Sequence, residues 1–413
     1  MPTELRTIDD LDVGERRVLL RTDFDVPLVA SPAGSRARVA DDRRIRAGLD
    51  TIEELRLRGA RLVIVSHLGR PQGPDPAWSM QPVADRLERV IGAPVRVATA
   101  VTGAEARELS ELLEPGQMLM LENLRFEPGE ILNDPGFAAR LAELADLYVN
   151  DAFASAHRRH ASTWAVAGLL PSAAGRLMER EVNALSAVIE QPLRPLIAIL
   201  GGAKLGERIG VIRRFLELAD IVCIGGAICV PFLAGLGHST GRSLCSREDV
   251  ARARTALGAA AGRSERLELP RDLLLAKWDS GEDPVTEPLA GLDIPDGWMA
   301  LDIGRRTAHR YATEVLSAGT VFWSGPMGRF ELSGFAAGTS TIAQAAAATS
   351  AVTVVGGGET LSAVRQLGLE QSMSHLSSGD GAMVAFLEGR ELPAVQALLR
   401  DAQGGRGAIT RIA

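Results

Sequence analysis

Apolar, β-branched runs recur along the first half of the chain at residues 18–24, 62–65, 118–121 and 147–149, each ending in a polar or glycine-bearing loop. Between them Ile45, Leu49, Ile52 and Leu55 fall at helical spacing, as do Val83, Leu87 and Ile91. Alternation of this kind predicts an α/β fold with parallel strands covered by helices. A helical stretch over 174–190 has no strand predicted beside it and ends at Pro192 and Pro195, which marks it as a connector between domains. The pattern then restarts, with strands predicted at 196–200, 221–224, 299–303, 321–323 and 352–355, each closely followed by glycine. Ligands of open parallel sheets bind at the carboxyl ends of the strands, so these loops are where function should concentrate.

Length and composition narrow the class. A chain of 413 residues exceeds one ordinary core, and two domains are the default expectation. No apolar stretch reaches the roughly 18 residues of a membrane span. The acidic N-terminus lacks a signal-peptide pattern, so a cytoplasmic protein without a membrane partner is expected. A net charge of −7 argues against general nucleic-acid binding, and any anionic ligand needs a local basic cluster. Cys223, Cys229 and Cys245 show neither metal spacing nor a disulfide framework. Of 45 basic residues only Lys204 and Lys277 are lysines, so a lysine kept inside a glycine-rich loop draws notice.

Five polar loops stand at predicted strand ends or helix starts: RTDFDVP from Arg21, DDRRIR from Asp41, SHLGRP from Ser66, LENLRFEPGE from Leu121 and NDAFASAHRRHAS from Asn150. They offer Arg21, Arg44, His67, Arg70, Arg125 and Arg158 as donors, and guanidinium forks match carboxylate and phosphate oxygens. In so arginine-rich a chain any one of these is more often a solvated surface group. As a set recurring at successive strand ends, beside His67 and Asp23, they read as a site for a small polyanion. His160 is read as structural.

The second half carries glycine loops instead. GGAKLGERIG from Gly201 follows a strand and opens a helix, where backbone N–H groups favour phosphate. It is neither a P-loop nor a GxGxxG fingerprint, since Ala203 takes the middle glycine's place. GGA recurs at Gly225, GGGET at Gly356, and WSGPMGRFE spans 323–331. Four such loops in one half-chain point to a nucleotide. Glu331 could bond both hydroxyls of a ribose, and Glu359 could help hold Mg²⁺ on bound phosphates. The plainer reading of each acid is a charge placed near a helix N-terminus.

Taken in order, SHLGRP, LENLRF, DAFxxAHRxHAS and WxGPMGxFE resemble the phosphoglycerate kinase family, from the RTDFDVP loop to SSGDGAMVAFLEG at Ser377. The resemblance implies two Rossmann-like domains with parallel sheets, joined by a long helix, with a cleft between them that closes by hinge bending. It assigns 1–173 to the 3-phosphoglycerate domain, 174–190 to the interdomain helix and 191–388 to the nucleotide domain. Residues 389–413 would return to the first domain. It implies a glycolytic, monomeric kinase acting on small molecules, with Mg²⁺ and ATP or ADP.

By the same likeness Arg21, Asp23, Phe24, Asp25, Arg44, His67, Leu68, Gly69, Arg70, Arg125 and Arg158 would bind the acid. Gly201, Gly202, Ala203, Lys204, Arg208, Gly225, Gly226, Leu301, Gly325, Pro326, Glu331, Gly356, Gly357, Gly358, Glu359 and Thr360 would hold the nucleotide, with Glu359 on the metal. Arg44, Lys204 and Arg208 would be catalytic, neutralising the phosphoryl group in flight.

Several positions depart from the family's habits. Asp25 stands for Asn, Arg208 for lysine, Ser324 for Asn, Glu359 for Asp, Arg305 for Pro and Ala154 for Gly, and Asp380 enters a glycine run. Asp25 adds a carboxylate beside an anionic substrate, and Asp380 adds one where the transferring phosphate is expected. Three readings therefore stay open: a working phosphoglycerate kinase, a kinase of this fold for another phosphorylated or phosphonylated carboxylate, and a non-catalytic binding protein.

Overall fold

The computed structural model describes residues 4–29, 37–260, 262, 266–277 and 284–399. They form two compact units: the chain up to Val182 together with the segment from Glu391, and Asn183–Arg390.

The first unit is built on six parallel strands in the order Val95–Val97, Met118–Met120, Arg61–Val65, Arg17–Arg21, Leu147–Asn150 and Ser172–Ala174. Val18, Leu19 and Leu20 of the central strand are all buried, so its sequence is a continuous apolar run and not an alternating one. The helical residues Ile45, Ile52, Leu55, Val83 and Leu87 join Val18, Leu20, Leu62 and Ile64 in one core cluster.

The second unit repeats the plan, with parallel strands ordered Leu267–Glu268, Ile221–Ile224, Leu196–Leu200, Thr320–Ser324, Val352–Gly356 and His375–Ser377. Phe215 of helix Leu205–Leu218 stacks on Phe322 with ring centroids 4.8 Å apart. Cys223 and Cys229 are buried and Cys245 is half-buried, and all three are free thiols.

Two expectations need correction. The strand predicted at 299–303 exists but lies outside the parallel sheet. Met299–Ile303 pairs antiparallel with Leu273–Lys277, which pairs in turn with Val285–Leu289. An apolar run of five residues cannot report its partners. The long helix, Arg176–Ile189, does follow a strand closely, because Ser172–Ala174 forms the edge of the first sheet. Four edge strands escaped the apolar pattern because each is only two or three residues long.

Asp151 caps the long helix, its Oδ1 accepting from Leu177 N at 2.9 Å and Met178 N at 3.1 Å. Burial pushes its carboxyl up to about 6 in spite of these donors. The division between the units falls within this helix, after Val182. Residues 391–399 pack in the first unit, where Leu398 O accepts from Arg6 N at 3.0 Å and Ala156 O accepts from Ala394 N at 3.1 Å. The rest of the expected returning tail, 400–413, lies outside the described residues. Among the described residues no helix is long and apolar enough to cross a membrane.

Candidate functional site

In the first unit, loops from four neighbouring strands bring the expected polar residues together. Strand Arg17–Arg21 runs into Asp23 and Asp25, Arg61–Val65 into His67 and Arg70, Met118–Met120 into Arg125, and Leu147–Asn150 into the segment bearing Arg158. Asn123 ties two of these loops. Its Oδ1 accepts from Arg125 N at 3.0 Å and Leu68 N at 3.3 Å, while its Nδ2 donates to Leu68 O at 2.8 Å. Gly69 completes the turn at φ +62°, and a Cβ there would stand 2.1 Å from the Trp78 ring.

Arg21, expected as a ligand donor, is 1% exposed and spends its donors inside the protein. Its Nε donates to Ser162 Oγ at 2.9 Å, Nη1 to Thr22 O, and Nη2 to His67 Nδ1 at 3.2 Å. Ser162 Oγ passes the chain on to Glu130 Oε1 at 2.6 Å. Burial raises the Glu130 carboxyl, and Arg21 pulls it back. Glu130 and Ser162 were not singled out from the sequence, although both sit inside the quoted motifs. His160 lies 3.7 Å from Glu130.

A guanidinium has no acceptor, so His67 Nδ1 is bare and the neutral ring carries its proton on Nε2, 3.7 Å from Asp25 Oδ2. Burial lowers the His67 pKa to about 3; Asp23 opposes this, while Arg21, Arg125 and Arg158 add to it. His67 is therefore expected to keep one neutral, Nε2-protonated spectrum from pH 8 to pH 5 in nitrogen-edited NMR. A midpoint near 6.5 would overturn the assignment. Unfolded histidine ionises near 6.5. The stability tied to a neutral His67 is thus complete above that pH and is lost as pH falls toward the folded value.

Asp23 is buried beneath Arg44, whose Nη1 reaches Oδ1 at 2.9 Å, and accepts from Ser155 Oγ at 3.2 Å. Burial pushes its carboxyl up, yet His67, Arg44 and Arg21 together carry it below the usual range. Asp25 Oδ1 accepts from Gly69 N at 2.8 Å. Arg125 Nη1 donates to Gly69 O at 2.8 Å. Burial and the charges of Arg158, Arg70 and Arg21 lower the Arg125 pKa against a pull from Asp25, so these guanidiniums share one neighbourhood. Phe24 and Leu68 are fully buried in the core, which leaves only their backbones for any ligand contact.

In the second unit the glycine loops follow four adjacent strands and lock into one another. Gly201 N donates to Ser324 O, Gly202 N to Pro326 O, Gly225 N to Leu200 O and Gly226 N to Met327 O, each at 2.9 Å. Thr360, fully buried, accepts from Gly325 N at 2.7 Å. Gly325 sits at φ +97° with its missing Cβ 2.2 Å from Gly201 O, so this glycine is required by loop meeting loop. Gly356 is buried beneath, while Gly357 and Gly358 lead into helix Gly358–Gln366, which carries Glu359.

Gly202, Ala203, Gly226, Leu301, Pro326, Glu331 and Glu359 line a cavity of about 720 Å³. Val230, Leu244 and Met299 give it an apolar wall suited to a planar base. Arg242 and Arg329 also line it and were missed: Arg242 is an isolated arginine without signal in this chain, whereas Arg329 sits inside the quoted WSGPMGRFE run and was passed over there. Asp302, next to Leu301, was missed as well. Its Oδ2 accepts from Gly338 N at 2.8 Å, and burial pushes the carboxyl up to about 7 despite that bond. Lys204 stands exposed at the start of helix Leu205–Leu218, 3.0 Å from Glu207 Oε1. Arg208, one turn on, donates from Nη1 to Ser324 Oγ at 2.8 Å.

Comparison with known proteins agrees with this geometry. The family profile described as phosphoglycerate kinase matches residues 8–390. A phosphoglycerate kinase of Rubrobacter xylanophilus is 48% identical over 395 residues, covering 95% of this chain and 98% of the relative. That of Thermomicrobium roseum is 47% identical over 404 residues, covering 96% and 100%. The solved phosphoglycerate kinase of Coxiella burnetii superposes with a TM-score of 0.85 at 35% identity, covering 96% of this chain and 99% of that one. The enzyme of Pyrococcus horikoshii gives 0.81 at 30% identity, covering 95% and 98%. With two sheets of matching plan, strand-end loops of opposite chemistry and near-full-length relatives, this chain belongs to the phosphoglycerate kinase family.

Proposed function

We propose that the chain is a phosphoglycerate kinase, moving a phosphoryl group reversibly between a nucleotide and the carboxylate of 3-phosphoglycerate. The observation that carries this reading is the interlocked set of glycine loops with Arg208 and Lys204 beside a cavity of nucleotide size. The guanidinium cluster of the first unit supports it as the seat of the acid.

Phosphoryl transfer needs little covalent help from the protein, which supplies positioning, charge neutralisation and exclusion of water. Arg125, Arg158, Arg70 and neutral His67 would grip the acid's phosphate, and Arg21 would hold His67 in the tautomer that presents Nε2–H. Asp23, fixed by Arg44, would orient the acid's hydroxyl. Loop amides and Arg208 would hold the polyphosphate, while exposed Lys204 would meet the moving group. Mg²⁺ carried on the nucleotide neutralises phosphate charge, and Glu359 is a single hard oxygen donor of the kind such an ion accepts. Reacting atoms must come within about 3.5 Å, so turnover requires the acid's carboxylate and the nucleotide's terminal phosphate to be brought that close.

A coupled assay with ATP and 3-phosphoglycerate tests the proposal. Nucleotide binding without turnover would reject it in favour of another acid or a binding role. Asp25 is the specific observation behind another acid, since its half-exposed carboxylate adds a negative charge beside His67.

Asp380 offers a second check. It follows strand His375–Ser377, which neighbours Val352–Gly356, and holds φ +41°, a strained value for a non-glycine residue. Exposed charges are screened, so removing this one is expected to raise turnover only about two- to fivefold. Asp380→Asn should match Asp380→Gly, because asparagine tolerates left-handed backbone. A gain with glycine alone would assign the effect to strain.

A further inference from the structure

Three of the chain's departures are linked in space: Arg208 bonds Ser324 and feels the charge of Glu359. Arg208 lies on helix Leu205–Leu218, Ser324 ends strand Thr320–Ser324, and Glu359 lies in the first turn of helix Gly358–Gln366. The Arg208 guanidinium lies across Gly202, where a Cβ would stand 3.1 Å from Nε and 3.3 Å from Nη2. On the other side, a Cβ on Gly357 would meet Ser324 Oγ at 3.3 Å and Nη2 at 3.9 Å. The guanidinium is therefore sandwiched between two glycine loops, both at positive φ, where any side chain would crowd it.

Among the described residues its hydrogen bond goes from Nη1 to Ser324 Oγ, which commits one side of the fork. The edge left over is Nε with Nη2, the pair of parallel N–H bonds that matches two oxygens of one phosphate. Burial lowers the Arg208 pKa, and Glu359 and Glu207 oppose that loss. Lys204 behaves differently: it is 75% exposed, so one cation of the loop is held inside the protein and the other stands in solvent. By the family resemblance lysine is expected at 208 and asparagine at 324, so the side chain here is longer at the first position and shorter at the second.

We propose that Ser324 is a positioning residue for Arg208: by engaging Nη1 it presents the Nε–Nη2 edge between the Gly202 and Gly357 loops as a bidentate phosphate clamp. Residues 208 and 324 then form a matched pair, longer on one side and shorter on the other. This rests on the nucleotide reading above, and it assigns to this chain a fixed guanidinium at the phosphates.

Calorimetry and the coupled assay test it together. Ser324→Ala is expected to weaken MgADP binding about three- to tenfold and kcat about tenfold. Adenosine, which has no phosphate, should bind the variant as it binds the unaltered chain. Ser324→Thr keeps the hydroxyl and should restore both readouts. Arg208→Lys should lose a comparable amount, and Arg208→Lys with Ser324→Asn should lose less than the product of the two single changes. Unchanged MgADP binding in Ser324→Ala, an equal loss of adenosine binding, or strictly multiplicative effects would each overturn the assignment. An unaltered chain that binds MgADP and loses it selectively in Ser324→Ala, yet transfers nothing to 3-phosphoglycerate, would reject the proposed reaction and leave the clamp standing.

Discussion

Lys204→Ala is expected to lower kcat about 10²- to 10³-fold, the loss typical of removing one group that stabilises charge only in the transition state. The same change should leave thermal unfolding unmoved. Lys204 is exposed and its ion-pair partner Glu207, 3.0 Å away, is nearly as exposed, so the pair adds next to nothing to stability. A lysine on a flexible stem at a helix start is free to follow the phosphoryl group, whereas Arg208 is held by Ser324. The expected signature is a large fall in kcat with a much smaller change in MgATP affinity, read by calorimetry beside the coupled assay. Equal losses in both would make Lys204 a binding residue only. A shifted unfolding temperature would show that the exposed ion pair had been misjudged.

Arg21→Met should be costly in the opposite sense, by about 3–5 kcal/mol of folding stability measured in urea, because it strips the cation from a buried charged network. Arg21 is 1% exposed and links His67 to Ser162, which hands on to Glu130. Without Arg21 the Glu130 carboxylate is buried with hydrogen bonds from Ser162 and the weaker pull of Arg125. Its pKa is already raised in the native protein by burial. An acid whose folded pKa is raised leaves stability intact below its unfolded value and takes it away as pH rises through the folded one. The deficit of Arg21→Met should therefore grow between acidic and neutral pH. Arg21→Met with Glu130→Gln should recover part of it by removing the stranded charge. A variant within about 1 kcal/mol of the original, or no recovery in the double change, would sink this account. Acid-substrate binding should suffer as well, since His67 would lose the donor that selects its tautomer.

The legible parts of this protein are those that depend on local spacing. Continuous apolar runs marked the inner strands 196–200 and 221–224 to the residue, because a strand buried on both faces has no polar positions to break the pattern. Glycine and arginine clusters marked the loops, because backbone approach and anion binding each demand particular residue types. Edge strands of two or three residues, and the antiparallel pairing of Met299–Ile303, carry no such local mark.

By itself, then, the sequence determined the two-fold α/β plan, the family, and which strand-end loops carry the clustered arginines and glycines. Only the tertiary structure decided how each side chain is used. It turned Arg21 from a ligand donor into the support of His67, placed Glu130 and Ser162 behind it, and brought Arg208 onto Ser324. The physical reason is range. Helix and strand periodicity is set by neighbours a few residues away, whereas these contacts join positions 32 to 141 residues apart. Whether such groups meet depends on how whole sheets stack their strand ends, and no local pattern encodes that.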